Sequence, residues 1–159
     1  MSVFLRAIEF LGLSIWLGSD GFLSFVVAPG AFSVLASRDQ AGAIVGYSLG
    51  RMHWMGIVCG VVILLVRVLR IRTLSALLAP AALCVVLMII LTVISQVTVT
   101  PRMAVLRVQM GSIEATRAGS PLLAEFAQLH TVSVVLESGV LLAGMLALFW
   151  MVRDAAVVR

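Results

Sequence analysis

Four apolar stretches, each long enough to cross a lipid bilayer as a helix, set the terms on which this sequence can fold. They run over about residues 3–27, 48–69, 74–100 and 127–152. About 20 mostly apolar residues span the hydrocarbon core. The 159-residue chain is 62% hydrophobic and 11% charged, too little polar surface to cover a soluble domain. The expected fold is all-α: one transmembrane domain, 1–159, forming an integral membrane four-helix bundle with both termini on the same side. The lipid bilayer is its first partner.

Punctuation within these runs sharpens the expectation. Pro29 with Gly30 is expected to interrupt the first span. This segment is read as a retained helix rather than a cleaved leader, because it carries Glu9 and Asp20 and has proline where cleavage needs small residues. The second span has a short uncharged stretch between Arg51 and Arg67, so both arginines are expected to snorkel towards headgroups. Before it, residues 40–51 are mildly amphipathic, and Gly42, Gly46 and Gly50 recur every four residues, a spacing that permits close helix contact. Pro80 stands near the start of the third span. Beyond Pro101, residues 103–118 place Met103, Leu106, Met110 and Ile113 at helical spacing, which predicts an amphipathic extension. Ala118-Gly119-Ser120-Pro121 reads as a turn. The fourth span contains only Glu137 as a formal charge.

Net charge is +4, and all eleven basic residues are arginine. They sit at the ends of apolar runs, as headgroup anchors do, with no basic stripe and no aromatic interleaving. Nucleic acid is therefore not an expected partner. Arg6, Arg67, Arg70, Arg72, Arg153 and Arg159 fall on the side of the termini; Arg38, Arg51, Arg102, Arg107 and Arg117 fall on the other. The purely basic loop between spans two and three places the termini in the cytoplasm, in a bacterial inner (plasma) membrane. Cys59 and Cys84 lie inside apolar runs and imply no disulfide framework. A bundle this small encloses little space, so a homodimer is a candidate assembly.

Polar groups inside the spans carry the functional argument. Asp20 comes late in the first span and His53 early in the second. Ser95, Gln96 and Thr98 come late in the third; His130 opens the fourth, with Glu137 two turns deeper. In an up-down bundle these fall in one half of the membrane. Glu9, Trp16 and Asp20 share a helix face, as do His130, Ser133 and Glu137. Intramembrane carboxylates avoid lipid, so Asp20 and Glu137 are expected to face inward. The candidate pocket is His53, His130, Asp20, Glu137 and Gln96, with Arg102 at its entrance. Met52, Met55, Cys59, Cys84 and Met88 fit bundle packing better than soft-metal ligation, and Gly56-x-x-x-Gly60 fits close helix packing.

Trp16-Leu17-Gly18, then Phe25-Val26-Val27-Ala28-Pro29 and Phe32, then Ala41-Gly42 resemble the opening of the transmembrane protein 205-like family. Those are small four-span membrane proteins containing a domain of unknown function. His53 before a small-residue run, Pro101-Arg102 closing the third helix, and Phe126-x-x-x-His130 with Ser133 extend the resemblance over nearly the whole chain. The family's eukaryotic namesake is associated with resistance to platinum drugs, which implies soft-metal handling or export. His53, Pro101, Arg102 and His130 are the positions the resemblance carries over. The first helix is also similar to four-span copper-resistance and haem-handling membrane proteins, which carry histidine early in that helix. Glu9 stands there in this chain, a departure that weakens the haem reading and leaves His53 and His130 as the candidate ligands of one metal or haem.

Two functions follow from these residues, and a third is not expected. The first is a protein that binds or transports a small ligand through a polar intramembrane pocket: a metal ion held by His53 and His130, a small cation, or a proton. The alternative is a structural membrane subunit, or a haem- or copper-binding membrane protein without transport, so a metal ion or haem stands as a possible cofactor. An enzyme is not expected, because there is no nucleophile elbow, phosphate loop or metalloprotease motif.

Overall fold

The computed structural model describes residues 2–157; Arg159, counted among the arginines of the terminal side, lies outside them. The described residues form helices α1 (Ser2–Phe22), α2 (Ala28–Val34), α3 (Arg38–Ile71), α4 (Pro80–Ile94), α5 (Thr100–Met110) and α6 (Pro121–Val157). Two π-helical turns, Leu23–Val27 and Ser95–Val99, join α1 to α2 and α4 to α5, and a short 3-10 turn covers Leu74–Leu78. The result is four rods long and apolar enough to cross a membrane: Val3–Val34, Arg38–Ile71, Pro80–Met110 and Pro121–Ala156. The chain is an integral membrane protein built as a four-helix bundle.

Local chemistry starts and stops each rod. The Ser37 hydroxyl caps α3 by accepting from the backbone N–H groups of Asp39 and Gln40. Arg72 ends α3 in the left-handed region at φ 61°. Pro80 and Pro121 open α4 and α6, where their missing N–H is no loss. Pro29 does not interrupt the first rod as expected. Its missing donor is absorbed by the π turn just before it, in which the Ala28 N–H bonds the Leu23 carbonyl. Pro101 stands in the same relation to the second π turn, where Thr100 N–H bonds Ser95 O. The extension beyond Pro101 is helical as expected but stops at Met110, short of residue 118, because Gly111 turns the chain at φ 69°.

Consecutive rods are neighbours: α1 packs on α3, α3 on α4, α4 on α6, and α6 back on α1. Lipid tails are as apolar as these side chains, so close packing rather than water exclusion must hold the rods together. The core uses small residues for that purpose. Ala81, Ala82, Ala143 and Ala147 are buried beside Leu13, Trp16 and Met88. Gly56 and Gly60 of α3 form the bed of the Trp16 indole, and a Cβ on either would collide with it. Phe4, Phe25, Val58, Leu65, Val135 and Phe149 face outward, as lipid contact requires.

Two expectations change with the packing, and a third is met. Gly42 and Gly46 do not seat a neighbouring helix; they make room for the Arg107 guanidinium, 3.0 Å from where each Cβ would stand. The spaces beside Gly42, Gly46, Gly56 and Gly60 are thus filled from within the chain, whereas a Cβ at Gly50 meets nothing. Met88 belongs to the buried core and Cys59 and Cys84 pack against it, so they act as filler. Arg67 does not snorkel. It is 3% exposed and turns inward to Asp154 and Glu9.

Candidate functional site

Asp20, His53, Gln96 and Glu137 come one from each rod. His53 lies on α3, 1% exposed. Its Nδ1 is 2.8 Å from Gln96 Oε1 on the second π turn, and its Nε2 is 2.5 Å from Glu137 Oε1 on α6. Since α3 and α6 stand across the diagonal of the bundle, the His53–Glu137 link passes through its middle. With the Gln96 oxygen accepting from Nδ1–H, Nε2 is left to share a proton with the Glu137 carboxyl. The link is either a neutral pair or an imidazolium–carboxylate pair.

Asp20 completes the set from α1. It is 1% exposed, stands within Coulombic reach of both Glu137 and His53, and neither carboxyl oxygen has a hydrogen-bond partner among the described residues. The Thr92 and Ser95 hydroxyls on the third rod are also buried and unpartnered. A buried carboxylate without donors is costly, about 2.5 kcal/mol or more at the bilayer centre. Asp20, Thr92 and Ser95 are therefore buried polar groups whose hydrogen-bonding capacity the described residues leave unused.

An open cleft of about 320 Å³, lined by Gly46, Tyr47, Gly50, Arg51, Trp54 and Gln96, meets the cluster at Gln96. Arg51 rests over the Tyr47 ring at 5.3 Å. Gln96 thus has one face on the cleft and its side-chain oxygen on His53.

The six expected site residues separate into two groups. Asp20, His53, Gln96 and Glu137 are brought together. His130 is not: it is exposed on α6, about 10 Å along the axis from Glu137. With both ring nitrogens of His53 engaged by Gln96 and Glu137, the paired-histidine metal or haem arrangement is not what the fold assembles. Among the described residues no group of three His, Cys, Asp or Glu side chains is disposed to hold a metal ion. Arg102 is exposed and joins α5 to α6 through Glu125 at 2.7 Å, away from the cluster.

Sequence reasoning placed Glu9 on a face with Trp16 and Asp20, and all three are 1% exposed. It missed what Glu9 does. Arg70 donates to both Glu9 oxygens, at 2.7 and 3.2 Å, and Arg67 Nη1 stands 3.7 Å away. Three of the chain's seven acids lie inside the spans, which was the available signal that each faces the bundle interior.

Residues 11–112 match the family described as Domain of unknown function (DUF4149). No curated protein and no solved structure matches the chain.

Proposed function

The chain belongs to the DUF4149 family, and from that premise we propose that it binds, and carries across part of the membrane, a proton or small monovalent cation at the Asp20–His53–Glu137 cluster. The observation that carries this is Asp20: a carboxyl group in the middle of a membrane bundle, 1% exposed, with both oxygens unpartnered. Such a group takes a proton or a cation to offset its charge. His53 and Glu137 supply a second exchangeable proton beside it, and Gln96 couples the imidazole to the open cleft. The path from cleft to Gln96, His53, Glu137 and Asp20 supports relay or uptake from one face.

Infrared spectroscopy of the protein in liposomes tests the proposal. A protonated-carboxyl band that disappears in Asp20→Asn, and that responds to pH or to added sodium or potassium, is expected. A parent protein without such a band under any of these conditions overturns the proposal.

A second function is favoured by one observation. The Gln96–His53–Glu137 chain ties three rods together, as a purely structural lock in a membrane subunit does. Under it, Asp20→Asn alters thermal stability or assembly and leaves proton and cation passage through liposomes unchanged. The soft-metal function implied by the resemblance to transmembrane protein 205-like proteins has less support, since Met88, Cys59 and Cys84 are spent on packing.

A further inference from the structure

The end of the bundle remote from Asp20 carries a second polar assembly. A cleft of about 520 Å³ opens there, and Arg6, Arg67, Arg70, Arg153 and Asp154 line it together with Trp150. These side chains come from α1, α3 and α6, so the cleft is built by the fold rather than by one basic segment. Arg67 forms its floor: 3% exposed, it donates from Nε to the Ala76 carbonyl at 3.3 Å and from Nη2 to Asp154 at 2.8 Å. Arg70 is committed to Glu9.

Charge is not balanced in this assembly. Four guanidinium groups meet two carboxylates, Glu9 and Asp154, leaving two positive charges in excess. The excess resides on Arg6 and Arg153, which make no ion pair among the described residues. Arg153 instead lies 4.9 Å over the Trp150 ring, which orients it at the rim. Two free planar donors above a buried third present the fork geometry that matches phosphate oxygens. The indole supplies an apolar wall beside them, and basic pockets between membrane helices accept anionic headgroups on the same grounds.

We propose that this cleft is a phosphate-binding site, with Arg6 and Arg153 as the direct ligands and the Glu9–Arg67–Arg70–Asp154 network as the rigid base that holds it open. Its ligand is a phosphate oxyanion, supplied by an anionic lipid headgroup or by free phosphate. The assembly is separate from the Asp20 cluster, so this site stands or falls independently of the proposed cation function.

The test uses the full chain purified in a zwitterionic detergent. Affinity for phosphatidylglycerol, for phosphatidylcholine and for inorganic phosphate is measured by native mass spectrometry and calorimetry. The Arg6→Gln/Arg153→Gln variant spares every ion pair of the base. An Arg38→Gln/Arg72→Gln control removes the same charge from exposed positions outside the cleft. Phosphatidylglycerol is expected to bind the parent and control alike and the cleft variant about tenfold more weakly. Inorganic phosphate following the same pattern identifies a free-anion site; phosphatidylglycerol alone following it identifies a headgroup site. Equal binding by parent and cleft variant, equal weakening in the control, or no binding by the parent overturns the proposal.

Discussion

His53 Nε2 and Glu137 Oε1 meet at 2.5 Å across the diagonal of the bundle, although 84 residues separate them in the chain. The same two rods meet again at the far end of the bundle, where Arg67 Nη2 reaches Asp154 at 2.8 Å. The His53–Glu137 link is the one in the middle of the bundle, so its chemistry bears on both bundle stability and the charge near Asp20.

Removing one partner of that pair leaves the other buried without compensation. Glu137→Ala is expected to destabilise the protein by about 3 kcal/mol. Glu137→Gln keeps a hydrogen bond to the imidazole and is expected to cost about 1 kcal/mol. Unfolding in mixed detergent micelles measures both, and equal losses for the two variants contradict the pairing.

The glycines of α3 make a contrasting set. A Cβ at Gly56 collides with the Trp16 indole, whereas one at Gly50 meets nothing within 4 Å. Gly56→Ala is expected to cost about 1–3 kcal/mol through overpacking, and Gly50→Ala to leave stability unchanged. Trimming the opposing ring in a Trp16→Leu/Gly56→Ala double variant should recover part of the loss. Thermal denaturation of these variants, the Trp16→Leu single variant and the parent decides it, and additive losses in the double variant count against the contact.

What could be read from the sequence follows from how far each physical constraint reaches. Four apolar runs specify four rods, because an uninterrupted apolar run of that length satisfies its own backbone groups in lipid as a helix. Asp20, Gln96, His53 and Glu137 were expected in one pocket because hydrocarbon forbids polar groups from facing out, and depth along each rod follows from residue count. The wheel position of His130 placed it on the Glu137 face, but nearer the rod's end, where helix contacts give way and polar side chains need no partner. Arg67 and Arg70 were read as headgroup anchors from their place at a run's end; only Glu9 and Asp154, distant in sequence, turn Arg67 inward. Pro29 and Pro101 announced irregular backbone, but whether a proline ends a helix or widens one turn is decided by what packs beyond it.

Those two prolines yield a prediction about the site. Pro101 lacks the N–H that a regular helix needs, and the π turn over Ser95–Val99 accommodates the gap while carrying Gln96. In Pro101→Ala the restored donor permits regular helical bonding, and loss of the extra residue rotates Gln96 relative to α5. Nitrogen chemical shifts of the His53 ring are expected to change, reporting an altered Nδ1 hydrogen bond. Pro80→Ala, at the first turn of α4 and preceded by a 3-10 turn rather than a π turn, is expected to leave those shifts alone. Unchanged shifts in both variants argue that packing, not the proline, maintains the π turn.

Arg67 provides the last test, at the opposite end of the bundle. Its guanidinium serves Ala76, Asp154 and Glu9 together from a position 3% exposed to solvent. Arg67→Ala leaves the buried Glu9 to Arg70 alone and the Ala76 carbonyl without its donor, while the half-exposed Asp154 turns to water, for an expected loss of about 2 kcal/mol. Arg67→Lys retains the charge but reaches only one acceptor at a time, because an ammonium is a point charge without the planar fork. It is expected to lose about 1–2 kcal/mol, with most of the loss already present in an Asp154→Asn background. A double-mutant cycle measured by reversible unfolding in micelles gives the coupling between Arg67 and Asp154. A coupling near zero shows that Arg67 is held by the Ala76 carbonyl and Glu9 alone, and that the Asp154 contact contributes geometry without stability.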